Sequence, residues 1–123
     1  MYPEDLKYTK DHEWISVSNQ QGRIGITDHA QKQLGEIVFV DLPDIGKTVK
    51  QGETLCVIDS VKASSDIYAP VSGEVVEVNA ALKQNPEAIN HEPHATWIAV
   101  VKLADPGELA TLMDATQYAE LVK

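Results

Sequence analysis

Apolar residues in this chain come in short runs, and turn residues close each run. WISV is followed by NQQGR, and EIVFVDL by PDIG; GKTVKQGETLCVI alternates apolar steps with Gly46 and Gly52. Runs this short and this rich in β-branched residues read as antiparallel strands. Glycine turns at such close spacing favour a sandwich or barrel over repeated strand–helix–strand units. The strands expected are one around Trp14 to Val17, a short one at IGI, a buried one over Glu36 to Leu42, a short one between the turns at Gly46 and Gly52, one ending at LCVI, APVSGEVVEV with a turn near Ser72-Gly73, and a last one at TWIAVVKL. TDHAQKQLG reads as a short helix, capped by Thr27 or Asp28 and stopped at Gly35. NAALKQNPEAINHEPHA reads as a loop with one helical turn. The tail predicts helix. Leu109, Leu112 and Met113 share one face by spacing, and Asp114 or Thr116 caps a final helix bearing Tyr118, Leu121 and Val122. The fold class is mostly β with peripheral helices.

Size and charge narrow the function. A chain of 123 residues with 43% apolar and 24% charged residues suits one domain around one core. No apolar run reaches the length of a membrane span, and MYPEDLKY from Met1 lacks the basic and apolar regions of a signal peptide. The expectation is a cytoplasmic monomer. A net charge of −9 opposes nucleic acid and anionic membrane surfaces, and suits protein partners with basic docking faces. The single cysteine, Cys56, excludes an internal disulfide and reads as a buried core thiol.

Catalytic signatures are absent. There is no nucleophile elbow, phosphate-cradling loop or dinucleotide fingerprint. His91 and His94 have metal-compatible spacing, but Pro93 separates them and no further ligands complete a site. His12, between Asp11 and Glu13, reads as part of a surface charge cluster. One segment stands apart. DSVKASSD must reverse the chain between two strands, yet it contains no Gly, Asn or Pro. Lys62 sits at its centre among small neighbours, Ser60, Ala63, Ser64 and Ser65, which leave the amine unhindered. Nothing beside it makes the apolar or cationic setting of a Schiff-base lysine. A long amine on a rigid platform suits a covalently attached group, and so a carrier.

DSVKASSDIYAPVSGEVVEVN strongly resembles the lipoylation segment of the glycine cleavage system H protein family, bacterial type. YTKDHEW, GITDHAQKQLGEIVFVDLP and the following G-x-x-V-x-x-G-E-T-L run match in the same order, so nearly all the chain takes part. The resemblance implies a barrel-sandwich hybrid of the lipoyl/biotinyl kind, forming a single lipoyl-carrier domain over 1–123. It implies lipoate in amide linkage on Lys62, with Asp59, Ser60, Val61, Ala63, Ser64, Ser65 and Asp66 as the motif read by docking partners. It also implies a non-catalytic shuttle. The arm takes an aminomethyl group from the pyridoxal-phosphate glycine decarboxylase (P protein), gives it to the aminomethyltransferase (T protein), and is reoxidised by dihydrolipoamide dehydrogenase (L protein). A lipoate ligase or a lipoyl/octanoyl transferase loads it. Glu13, Gln33 and Asp66 match positions lining a cleft into which the loaded arm folds, and a desolvated ammonium there needs an anionic partner.

Two sister readings stay in view. A biotin carrier is expected to have Met on both sides of the lysine, where Val61 and Ala63 stand. A dehydrogenase lipoyl domain has an Ala/Pro-rich tether, which this chain lacks. An H-like protein of another pathway, or a relay passing lipoyl groups to 2-oxoacid dehydrogenases, fits the same motif. The chain departs from the family pattern at HEPHATW, with Thr96 before Trp97 in place of a Gly-rich approach, and at Asp59 where Glu is common.

Overall fold

The computed structural model describes residues 2–123; Met1 lies outside the described residues. Among the described residues the chain forms β1 (Lys7–Tyr8), β2 (Glu13–Ser18), β3 (Gln21–Ile26), α1 (Asp28–Leu34), β4 (Ile37–Asp41), β5 (Thr48–Val49), β6 (Thr54–Ser60), β7 (Ser64–Tyr68), β8 (Gly73–Val78), α2 (Ala88–His91), β9 (Ala99–Leu103) and α3 (Ala115–Leu121). The strands make two antiparallel sheets. One has six strands in the order β1-β2-β3-β9-β8-β5, the other three in the order β4-β6-β7. The mostly β expectation holds, with the helices at the periphery.

The alternation of each strand decides which side chains meet between the sheets. Ile15, Ile24 and Val101 of the larger sheet join Val40, Ile58 and Ile67 of the smaller in one buried cluster. Each such side chain contributes roughly 1.5–3 kcal/mol by leaving water. Cys56 belongs to this cluster, and burial pushes its thiol up to about 12, as a core thiol requires. A second cluster, Leu6, Tyr8, Trp14, Ala115 and Tyr118, holds the two ends of the chain together. Tyr8 and Tyr118 stack with ring centroids 4.8 Å apart. Trp14 lies over its cross-strand partner Gly25, where an added Cβ would come within 2.5 Å of the indole. Only glycine lets the ring lie flat there, so that its N–H reaches the carbonyls of Ile26 (3.0 Å) and Pro93 (2.9 Å).

Thr27 caps α1, its hydroxyl accepting from the Ala30 amide, and Gly35 ends it at φ 78°. Asp114 caps α3 in a capping box with Gln117. The segment before α3 corrects the sequence reading. Leu109 lies in a 3₁₀ helix, Pro106–Thr111, while Leu112 is extended and Met113 forms an isolated bridge to Tyr8, so the three do not share a helical face. Met113 exchanges both backbone hydrogen bonds with Tyr8 at 2.8 Å, and this tertiary pairing outweighs the local helical spacing. The polar loop before β9 holds more helix than expected, a 3₁₀ turn at Ala80–Lys83 as well as α2. β1 was not anticipated. Its Tyr8 is held by pairing with Trp14 and by that same bridge. Among the described residues no helix is long and apolar enough to cross a membrane.

Candidate functional site

The reversal around Lys62 is tighter than its sequence suggests. β6 runs through Asp59 and Ser60, β7 resumes at Ser64, and only Val61, Lys62 and Ala63 connect them. Ser60 explains how the chain turns without glycine. Its amide donates to the Ala63 carbonyl at 2.8 Å, and its hydroxyl oxygen accepts the amides of Lys62 (3.3 Å) and Ala63 (3.2 Å). A side chain thus takes the role that a left-handed backbone plays in a tight glycine turn. The residues with positive φ among the described residues all lie elsewhere. One rung below, the Ser64 hydroxyl donates to the Asp59 carboxylate, across a pair in direct register. The Val61 amide donates to the Glu36 carbonyl at 3.0 Å, which ties the tip to the link between α1 and β4. Lys62 itself is exposed, and its Cε approaches Gly35 at the end of α1, 3.5 Å from where a Cβ would stand. The result is a fixed backbone carrying a free amine.

Beside the hairpin a groove of about 360 Å³ runs between α1 and β7. Ile26, Ala30, Leu34 and Ile67 give it apolar walls, Gln33 and Asp66 stand on opposite sides, and Lys10, Asp11 and His12 close its far end. Glu13 does not line this groove. It borders a neighbouring cavity of about 430 Å³, and Lys10, Asp11 and Tyr68 border both. Glu13 is 1% exposed. The Thr9 hydroxyl donates to one carboxylate oxygen at 2.5 Å, and the Tyr68 amide to the other at 3.2 Å. Burial outweighs these hydrogen bonds and pushes its pKa up to about 7. The buried carboxyl is therefore poised to change charge near neutrality, one wall away from Asp66.

His12 corrects the reading of a surface charge cluster. It is half-buried at φ 74°, its Nδ1 lies 2.8 Å from the Tyr118 hydroxyl, and its ring lies 4.5 Å from that of His29. Burial, with His29 adding to it, pushes its pKa below the usual imidazole value. The Tyr118 hydroxyl also meets Thr27 Oγ1 at 2.7 Å, so α3, the cap of α1 and the end of the groove share one polar chain. Sequence spacing could not reveal this link, because His12 and Tyr118 lie far apart in the chain. His94 accepts the Asp28 amide at 3.2 Å, while His91 is exposed at the end of α2. Thr96 bonds to α2, its hydroxyl donating to the Ala88 carbonyl at 3.2 Å and its amide to Glu92 at 2.9 Å. The departure before Trp97 is thereby absorbed into the helix end.

A model of the family described as "Glycine cleavage H-protein" matches residues 6–123. A probable glycine cleavage system H protein from Pyrococcus abyssi is 54% identical over 98% of this chain and 91% of its own length. A glycine cleavage system H protein from Escherichia coli is 53% identical over 98% of this chain and 95% of its own. The crystal structure of a glycine cleavage system H protein from Mycobacterium marinum superposes with a TM-score of 0.89, at 40% identity and 97% coverage of both chains.

Proposed function

The chain belongs to the glycine cleavage H-protein family, and on that premise we propose that it is the lipoyl carrier of a glycine cleavage system, with lipoate attached to Lys62. The fold is the family's barrel-sandwich hybrid. The observation that carries the proposal is the hairpin tip. Lys62 is exposed on a turn whose backbone Ser60 holds closed, with a partly apolar groove alongside. These residues fit an acylated lysine: the amine is free to react, and the groove walls can shelter an apolar arm. Once attached, lipoate supplies a disulfide that accepts a one-carbon fragment and two electrons.

The chain's own residues do the rest. Ser60 and the Asp59–Ser64 pair hold the tip rigid, so that partners meet Lys62 in one geometry at little entropic cost. Ile26, Ala30, Leu34 and Ile67 give the open groove apolar walls against which an arm can lie, and Gln33 and Asp66 offer polar contacts at its rim. Asp66 supplies negative charge at the groove rim for a cation brought in by the arm, and Glu13, beyond Tyr68, adds to it only when ionised. In this proposal the chain contributes no catalytic group and acts as a single carrier domain in the cytoplasm. Its partners are the P, T and L proteins and an enzyme that attaches the lipoyl group. Intact mass and peptide mapping test it, on protein made in cells supplied with lipoate. One lipoyl group on Lys62, lost in Lys62→Ala, is the expected result. An unmodified Lys62 beside a loaded control carrier overturns it.

A further inference from the structure

The outer side of β4 breaks the rule that large apolar residues turn inward. At the start of the strand a bulge between Ile37 and Phe39 shifts its register against β6. The bulge leaves Val38 and Phe39 exposed one after the other, at 47% and 50%, between the buried Ile37 and Val40. Val61 at the hairpin tip is 66% exposed. These residues belong to one end of the sheet. Phe39 pairs with Asp59 and Ile37 with Ser60, and the Val61 amide meets the Glu36 carbonyl. The backbone beneath them is held. The Ile37 amide donates to Asn90 Oδ1 at 2.9 Å, and Asn90 Nδ2 donates to the Gly35 carbonyl at 2.8 Å. Glu36 and Asp41 are exposed at the two ends of β4, and Asp59 lies beside Phe39.

We propose that Val38, Phe39 and Val61 form the docking surface for the enzyme that acylates Lys62, a partner whose matching face is apolar at its centre and basic at its rim. The inference rests on Lys62 being the attachment residue. The geometry separates this partner from the others. An enzyme that works on a finished arm reacts at the arm's far end and need not reach Nζ. The attaching enzyme must bring an activated acyl donor to Nζ itself. The ammonium of Lys62 loses one proton, and its lone pair forms the amide bond to the donor's carbonyl carbon. The bond from that carbon to the leaving group breaks, and the amine's second proton accompanies the departing group. Such an enzyme must cover the residues beside Lys62. The strand order puts β4, with Val38 and Phe39, on one side of β6, and β7 with the groove on the other, so the apolar patch lies on the side of the hairpin away from the groove. Glu36, Asp41 and Asp59 favour a basic partner and speed encounter, with Lys32, paired to Asp28, and Lys83 as the opposing charges in the cavity on the α2 side of Val38. An exposed aromatic on a pre-held strand is the residue type that dominates such contacts.

The test compares the unmodified full chain with Phe39→Ser, Val38→Ser and, as a control, Ile45→Ser, a residue more open to solvent than either but outside this end of the sheet. Acyl addition by a purified lipoate ligase, with lipoate and ATP, is followed by intact mass, and binding of the unmodified chains to that ligase by interferometry. Thermal melts check that each variant is folded. Phe39→Ser is expected to slow acylation and weaken binding about tenfold, the loss of one contact residue. Val38→Ser should lose less, Ile45→Ser nothing, and the wild-type rate should fall as salt rises. Acylation and binding of Phe39→Ser at the wild-type level overturn the docking surface while leaving Lys62 as the attachment residue. The same holds if acylation is intact and only reduction of the loaded arm by dihydrolipoamide dehydrogenase suffers. A wild-type chain that takes no acyl group removes both readings.

Discussion

Replacing Glu13 by glutamine should change how stability depends on pH, and the direction follows from where the carboxyl sits. The residue is almost fully buried and is displaced from 4.5 to about 7 by desolvation. A carboxyl raised in this way holds its proton in the folded chain at pH values where the unfolded chain has released it. Folding therefore takes up a proton between about 4.5 and 7, and stability falls as pH rises through that window. The displacement corresponds to roughly 3 kcal/mol lost between pH 4.5 and 8. Glutamine does not titrate. It also cannot accept from both the Thr9 hydroxyl and the Tyr68 amide, as the carboxylate does, which costs about 1 kcal/mol at every pH. Glu13→Gln should thus be about 1 kcal/mol less stable than wild type near pH 4.5, and about 2 kcal/mol more stable near pH 8. Denaturant unfolding of both proteins across that range measures the difference, and every other titrating group cancels from it. A difference that stays constant with pH refutes the reasoning. It would mean that the hydrogen bonds from Thr9 and Tyr68 hold the carboxylate charged against burial.

Ser60→Ala removes the acceptor for the Lys62 and Ala63 amides, and should cost about 1 kcal/mol while speeding hydrogen exchange at the hairpin tip more than elsewhere. Equal exchange at the tip in both proteins would show that the backbone alone closes the turn. Tyr118→Phe removes a hydroxyl shared by His12 and Thr27, and should cost about 1–2 kcal/mol. Thr27 already accepts the Ala30 amide. The arrangement that gives every hydrogen a partner has Thr27 donating to Tyr118 and Tyr118 donating to His12. Loss of that donor should raise the His12 titration midpoint seen by NMR, and an unmoved midpoint rejects this order of donation.

What the sequence could reveal follows from which interactions are local. The cap at Thr27, the stop at Gly35 and the Asp114 cap depend on neighbouring residues, and spacing finds them. The end of the chain went differently, because Leu112 and Met113 answer to Tyr8, a contact that no local pattern announces. Lys62 stood out through the missing turn residues, yet the reason they are dispensable, the Ser60 hydroxyl, needs coordinates to be seen. A serine three residues before the small residue that closes a turn is a signal that could have been used. Gln33 and Asp66 line the groove and Glu13 the adjoining cavity, with Lys10, Asp11 and Tyr68 common to both. Sequence matching aligns positions, but it does not say which side of Tyr68 a carboxylate faces.

The placement of charge around Lys62 argues for a division between the two sides of one hairpin. On the β7 side, exposed Asp66 stands at the rim of the groove, and the more distant Glu13 is buried beside a partly apolar cavity, where a charge is poorly hydrated and a fixed partner matters most. On the β4 side, Glu36 and Asp41 are in water beside exposed Val38 and Phe39, where charge does little for affinity and more for encounter. The same acidic composition thus does two jobs. A single change of sign should separate them: Asp41→Lys should lower the rate of acylation at low salt and leave the groove unaffected, whereas Asp66→Asn should act on the loaded arm and leave acylation unaffected. If both substitutions altered acylation alike, the two sides would form one surface and the division would be wrong.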